Sequence, residues 1–530
     1  MFEKYLDNRL ITLLLLPFAI GSLSVLSFQP FNFTLINFFI LPLFFYLIVY
    51  IKKKSKSTYR KKPFKKNLFI FGTSFGFGFF FSGLYWITFS LTFDDSFKFL
   101  IPLGLFLIPL FLSLFFSLIV LLIGPFLNFN IISLLLLSAS LGASDYFRSK
   151  ILTGFPWNLW AYSYSWSNEI IQFLNKFGLF AFNLIIITIF TLPAVIFFKI
   201  NYKKKLVCLF SIPLTLFFLY VYGNYSTNKN RLNLESVNQK YNIKVISPNF
   251  ELKYGLTIED LENRLKKLVR ISDPIKGEKT LFVWPEGVFS GYSYNEILFF
   301  KDKFSKNFNK NHFILFGINK SNMTNDGFYN SLIIVNNNFD IIGEYKKQKL
   351  VPFGEFLPFA NTLNKFGLKK ITEGHGSFLK GDRQDNLIIE NLNIMPLICY
   401  EIIFTKFIQN SSNETNLIIN ISEDGWFGNS IGPYQHFAKA IFRAIEQNSY
   451  LVRSANKGIS AIINNKGLVV KKLEPFESGN IELEVPLIKS QNKNKNDLIF
   501  FVLLFTYILF FIFYSIHIVL VLYSNKFSIV

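Results

Sequence analysis

The chain has 530 residues, 51% of them apolar and 18% aromatic, with 68 phenylalanines and only 17% charged side chains. Many apolar residues sit in runs too long for a core strand or helix, which points to membrane spans and excludes collagen, disorder and a small disulfide scaffold. The net charge of +21 is no nucleic-acid signature: residues 1–222 with 498–530 hold 20 Lys+Arg against 6 Asp+Glu, whereas 223–497 hold 35 against 28. Most of the excess therefore flanks the apolar runs, where basic loops set membrane topology.

Taken in chain order, the apolar runs predict eight spans, at 10–28, 31–51, 68–92, 99–124, 131–147, 174–199, 206–222 and 498–523. The first is too long for a cleavable signal peptide, lacks a small-x-small exit and is expected to stay as an anchor. Nine Lys/Arg between Lys52 and Lys66 mark that loop as cytoplasmic, and counting spans onward puts Lys203, Lys204 and Lys205 on the same side. The long segment 223–497 is then expected outside the cytoplasm, which in a bacterium means the periplasm. Gly72 to Gly78, glycine-rich inside a span, reads as helix packing.

Residues 223–497 have a different texture. Short β-branched runs recur at 242–247, 280–284, 312–318, 330–336, 340–345, 393–399, 416–421 and 459–464, with helical patterns at 257–270 and 434–448. Thr257 and Asp260 have the spacing of a capping box. The expected organisation is a bundle of about seven transmembrane helices over 1–222, one α/β domain over 223–497, and a last transmembrane helix within 498–530.

Three places in that domain can carry chemistry. Cys399 closes an apolar run and is followed by Tyr400 and Glu401, so it stands at a strand-to-turn corner suited to nucleophilic attack; a buried structural thiol is the bland alternative. Trp284-Pro285-Glu286 puts a carboxylate just past a buried strand, where desolvation favours a general base, although a strand-end Glu is ordinarily a solvated loop residue. The run Tyr345 to Glu355, YKKQKLVPFGE, offers lysines able to stabilise an oxyanion, or merely a basic edge strand. His312, His375, His436 and His517 have no metal-ligand spacing, so no metal is expected. Cys208 lies in an apolar run and reads as packing.

Together these motifs resemble the nitrilase superfamily, whose Glu-Lys-Cys triad occurs in this chain order. WPE, YxKxxLVPFGE, CYE and the later DGWFG at Asp424 to Gly428, with Phe155-Pro156-Trp157 in the loop before the sixth span, are similar to its membrane-bound branch, the apolipoprotein N-acyltransferases of Gram-negative bacteria. The resemblance implies an αββα nitrilase-like domain held outside the inner membrane by the helix bundle. It implies Glu286 as general base, Lys347 as oxyanion stabiliser and Cys399 as nucleophile, with Glu355, Tyr400 and Glu401 in support. Tyr254 and Trp426 are the implied substrate-binding positions, although Trp426 reads equally as a core aromatic or as the anchor of a lid. Tyr254 stands where the family usually has Trp, and Ile421-Ser422-Glu423 precedes Asp424 where an Asn is common. The implied reaction takes an acyl chain from a membrane phospholipid, through a thioester on Cys399, to the α-amine of a diacylglyceryl-cysteine apolipoprotein, with no cofactor and no nucleic acid. A membrane-tethered amidase acting on small amides with the same triad is the alternative.

Overall fold

The computed structural model describes residues 6–58, 64–253, 255–322, 327–360, 377–382, 386–405, 407, 414–489 and 497–527. They form two compact units, one of Met1–Tyr85, Pro102–Asn224 and Lys495–Val530, the other of Trp86–Ile101 and Tyr225–Asn494.

The first unit is helical. Among the described residues six helices are long and apolar enough to cross a membrane, at Thr34–Ser55, Phe64–Thr92, Asp95–Ile123, Leu179–Phe197, Tyr202–Glu235 and Leu498–Ile518. The first expected span is a shorter apolar helix, Ile11–Ser27. The fifth forms Ile131–Arg148, whose last turn carries a buried ion pair, Arg148 Nη2 to Asp145 Oδ1 at 2.8 Å. Asn183 donates to the other Asp145 oxygen at 2.9 Å, and Arg148 Nη1 donates to the carbonyls of Phe155 and Trp157 at 2.6 and 2.7 Å. The network satisfies both charges and fixes the Phe155-Pro156-Trp157 loop, as a charge deep in an apolar bundle requires.

Two span ends differ from expectation. The sixth helix begins at Leu179, not 174, because Gly178 takes φ +75 and closes the short turn Leu174–Phe177 before it. The seventh does not stop at 222: Tyr202–Glu235 runs for 34 residues, about 51 Å at 1.5 Å per residue, against a hydrocarbon layer of about 30 Å. The glycine-rich run packs as read, since a Cβ on Gly72 or Gly76 would come within 2.8 Å of the Ser117 or Ser113 backbone on the helix Ile101–Ile123.

Among its described residues the second unit carries twelve strands: β1 Lys240–Ser247, β2 Thr280–Val283, β3 His312–Ser321, β4 Phe328–Val335, β5 Ile341–Lys346, β6 Leu387–Ile389, β7 Leu392–Ile398, β8 Leu417–Glu423, β9 Tyr450–Asn456, β10 Ser460–Ile463, β11 Val469–Leu473 and β12 Gly479–Pro486. They make two six-stranded sheets, ordered β12-β1-β2-β3-β4-β5 and β11-β10-β9-β8-β7-β6. Ile243, Val283, Leu315 and Ile334 of the first meet Ile394, Ile419, Val452 and Ile462 of the second in one buried layer. The helix Ile258–Ser272 buries Leu261, Leu265 and Leu268 against the outer face of the first sheet, with Phe282, Trp284 and Phe316. Its Thr257–Asp260 capping box is formed, a feature worth about 1 kcal/mol. The helix Gly432–Gln447 packs on β9, giving the αββα layering expected of a nitrilase-like domain.

Eight of these strands coincide with the expected runs, and β6, β9, β11 and β12 were not anticipated. β9 reads poorly as an apolar run because Arg453 sits in its middle, yet every residue of it is buried. β11 and β12 are half-exposed edge strands whose charged residues mask their alternation.

Candidate active site

The site collects at the ends of the central strands. β1, β2 and β3 run parallel, as do β7, β8 and β9, so several strand ends deliver their following residues to one rim. Glu286 follows β2 through Trp284 and Pro285. Trp284 is fully buried, its indole N–H donates to Ser272 at 2.9 Å, and its backbone N–H donates to Leu315 at 2.8 Å, extending the β2–β3 pairing. Gly317 on β3 lets the next turn come close: a Cβ there would lie 2.9 Å from the Glu286 Cα.

Glu286 is held by three groups. Its Oε1 accepts from Asn330 Nδ2 at 2.8 Å and lies 3.6 Å from Lys347 Nζ, and its Oε2 accepts the backbone N–H of Glu423 at 3.1 Å. Lys347 follows β5 and is 1% exposed. Its Nζ donates to Glu355 Oε1 at 2.9 Å, while Asn330 Nδ2 donates to the same oxygen at 2.7 Å. Burial alone would push this ammonium down, but the carboxylates of Glu286 and Glu355 outweigh it and hold Lys347 above the ordinary lysine range, so it stays charged. Glu355 is fixed through its other oxygen, which accepts from Val351 N–H at 2.8 Å.

Cys399 is half-buried at the corner between β7 and the 3₁₀ turn Cys399–Ile403, with φ +47. A non-glycine residue pays roughly 1–2 kcal/mol in that region and persists only where the surroundings over-determine it. Glu401 supplies the constraint. Its Oε2 accepts from Ile398 N–H at 2.8 Å, and its Oε1 accepts from Gln348 N–H at 2.7 Å, Lys349 N–H at 3.0 Å and Tyr345 OH at 3.0 Å. One buried carboxylate thus ties the corner bearing Cys399 to the segment bearing Lys347. Burial pushes Glu401 up to about 7 against these donors. Tyr400 is buried edge-on to Phe404, with ring centroids 5.1 Å apart.

Burial pushes the Cys399 thiol up; the Glu286 and Asp424 charges add to this, while the Lys347 ammonium opposes it. The resting sulfur is therefore a thiol in the field of a carboxylate and an ammonium, and its attack needs a base. Ser422 donates to Asp424 Oδ1 at 2.6 Å. Asp424 also pairs with Arg453 at 2.7 Å and His436 at 3.0 Å, which hold its carboxyl well below the usual range despite burial. His436 is pulled down to about 4 by burial, so its role here is to anchor Asp424 as a neutral ring. Among the described residues no group of three or more His, Cys, Asp or Glu is placed to hold a metal ion.

Trp426 meets Phe93 edge-on, centroids 5.3 Å apart, and Phe427 meets Trp86 at 4.7 Å. Both partners belong to Trp86–Ile101, which packs with this unit although the sequence placed its ends in two spans. Tyr254 lies outside the described residues. The sequence assigns Asn330 no role, showing it only as a lone amide opening an apolar strand run, and marks Glu423 only as part of a departure from the family pattern before Asp424.

The family of the apolipoprotein N-acyltransferase N-terminal domain matches residues 20–192, and the carbon-nitrogen hydrolase family matches residues 252–492. Apolipoprotein N-acyltransferase of Rhodopseudomonas palustris (strain ATCC BAA-98 / CGA009) is 31% identical over 486 residues, 88% of each chain. Proteins of the same name from Rickettsia typhi (strain ATCC VR-144 / Wilmington) and Rickettsia prowazekii (strain Madrid E) are each 33% identical; the matches cover 94% and 93% of this chain and 98% of each relative.

Proposed function

The chain belongs to the apolipoprotein N-acyltransferase family, and from that membership we propose that it moves a fatty-acyl chain from a membrane phospholipid to the N-terminal α-amine of diacylglyceryl-cysteine apolipoproteins, through a thioester on Cys399. It is a membrane protein and an N-acyltransferase. Glu286 takes the Cys399 proton as the sulfur attacks the ester carbonyl. The C–O bond breaks, the lysophospholipid oxygen leaves with the proton from Glu286, and the acyl group stays on sulfur. In the second half the acceptor amine attacks the thioester and gives its proton to Glu286. The C–S bond then breaks, and the departing sulfur recovers the proton. Lys347 holds the negative oxygen of both tetrahedral species.

The observation that carries this reading is the convergence of Glu286 and Lys347, 3.6 Å apart, beside a thiol that burial keeps protonated. An α-amine with a pKa of about 7.7–8.0 has a useful neutral fraction at pH 7, so the second half needs only modest help from the base. The membrane helices answer a physical need: at about 0.8 kcal/mol per CH₂, drawing a sixteen-carbon chain into water costs on the order of 12 kcal/mol. We place the catalytic domain 223–497 in the periplasm, on the outer face of a bacterial inner membrane. The purified protein in phospholipid vesicles, given a diacylglyceryl-cysteine peptide, is expected to produce the triacylated peptide and lysophospholipid in equal amounts. Hydrolysis of small amides with no peptide acylation would replace this function by an amidase.

A further inference from the structure

Glu423 ends β8 and touches the base directly. Its backbone N–H is the donor to Glu286 Oε2 at 3.1 Å, and its side chain is 4% exposed. The carboxyl is fixed, since Oε1 accepts from Gly425 N–H at 2.9 Å and Oε2 from Asn456 Nδ2 at 2.8 Å. Asn456 has no freedom to turn away, because its amide is also clamped by the N–H and C=O of Phe250 at 2.7 and 2.9 Å. The donors are neutral, whereas Glu286 lies beside the Lys347 ammonium.

The charged groups that bear on Glu423 come from three directions. Glu286 faces it from the end of β2, Asp424 adjoins it, and Arg264 faces it from the helix Ile258–Ser272. Arg264 directs its hydrogen bonds to backbone carbonyls, donating to Gly287 at 3.3 Å, Val288 at 3.2 Å and Glu251 at 2.7 Å, so that it acts on Glu423 only through space. Asp424 is spent on Arg453 and His436. What remains is a pair of neighbouring carboxyls, Glu286 beside an ammonium and Glu423 buried with neutral N–H donors, an arrangement that favours a proton on Glu423.

We propose that Glu423 is a positioning residue that tunes the base: protonated it leaves Glu286 a weak base, and on losing its proton it makes Glu286 a stronger one. In the first half-reaction negative charge moves from Glu286 to the oxyanion beside Lys347. An anionic Glu423, whose backbone N–H holds Glu286 and whose carboxyl feels its charge, favours that movement. Burial pushes the Glu423 carboxyl up to about 8, opposed by Asn456 and Gly425 and reinforced by Glu286 and Asp424, so its ionisation falls within the range open to assay. One added neighbouring charge is taken to shift the proton-transfer equilibrium about tenfold. The rate follows a fraction of that, so a rise of about three- to tenfold is expected between pH 7 and 9.

This inference rests on Glu286 being the base, and the test separates the two. Formation of the Cys399 acyl adduct from phospholipid vesicles, without acceptor, is followed in single turnover from pH 5.5 to 9.5 for the wild type, Glu423→Gln and Glu423→Asp. Adduct formation by the wild type at pH 7 speaks for the parent mechanism, and its absence would sink that mechanism whatever Glu423 does. For Glu423 the expected result is a wild-type rise centred near pH 8 that is missing in Glu423→Gln, with similar rates for both below pH 7. Glu423→Asp, its carboxyl one methylene further back, should keep a smaller rise and carries the test if the Gln variant does not fold. A profile for either folded variant that parallels the wild type at every pH, or a uniform loss with the alkaline rise intact, would make Glu423 structural only.

Discussion

Asn330 is the residue through which the account of Glu286 can be examined without touching a reacting group. Its two N–H bonds go to the two carboxylates around Lys347, at 2.8 Å to Glu286 and 2.7 Å to Glu355. Asn330→Ala removes both, leaving Glu355 Oε1 with its bond from Lys347 and Glu286 Oε1 with no donor among the described residues nearer than the Lys347 ammonium 3.6 Å away. A hydrogen bond to a charged group is worth about 1.5–3 kcal/mol, so losing the one that orients Glu286 is expected to slow adduct formation about 10- to 160-fold at about 1.4 kcal/mol per decade. The ceiling is the loss in Glu286→Gln, about 10²–10⁴-fold for a general base, because Asn330 acts through that carboxylate. Single-turnover kinetics on the two single variants and the double variant form a cycle, in which Asn330→Ala should cost far less once Glu286 is Gln. A folded Asn330→Ala protein within twofold of wild type, or full additivity in the cycle, would refute the idea that Asn330 positions the base.

Glu401 links the corner of Cys399 to the Lys347 segment, and its folded-state carboxyl is raised to about 7 from about 4.5. The native state therefore holds a proton that the unfolded chain has released, and its stability contribution is full below pH 4.5 and lost as pH rises through 7. Thermal unfolding in detergent should show the advantage of wild type over Glu401→Gln shrinking from pH 5 to 7; an advantage that grows over that range contradicts the assignment. The proposed topology predicts that a reporter active only when exported works when fused near residue 300. Activity of a cytoplasm-only reporter there would overturn the placement of the catalytic domain.

Much of this was legible in the sequence because it depends on local pattern. Long apolar runs announced the membrane helices, and short β-branched runs announced most of the central strands. Thr257 and Asp260 announced a helix start. What stayed hidden depends on partners distant in sequence. Nothing near Asn330 announces that it bridges Glu286 and Glu355, 44 and 25 positions away. The burial of β9 around Arg453 requires Asp424 and Asn420 to be present as partners. Trp86 sat in a run apolar enough to be read as span, with Phe93 one residue past its end, and their edge-on packing against Phe427 and Trp426 is a tertiary fact. The Glu-Lys-Cys order was visible, but the device that aligns the corner with the lysine, one buried carboxylate accepting four donors, was not.

The thioester is the central claim, and intact-protein mass measurement tests it most directly. The protein incubated with vesicles of one defined phospholipid, without acceptor, is expected to gain the mass of one acyl chain, located on the peptide containing Cys399 and removed by hydroxylamine or by adding the lipidated peptide. Cys399→Ala should gain nothing, since among the described residues of this domain Cys399 is the thiol. Lys347→Met should form the adduct roughly 10²–10³-fold more slowly. Transfer to the peptide by folded Cys399→Ala at near wild-type rate, or an acyl mass on another residue, would contradict the account.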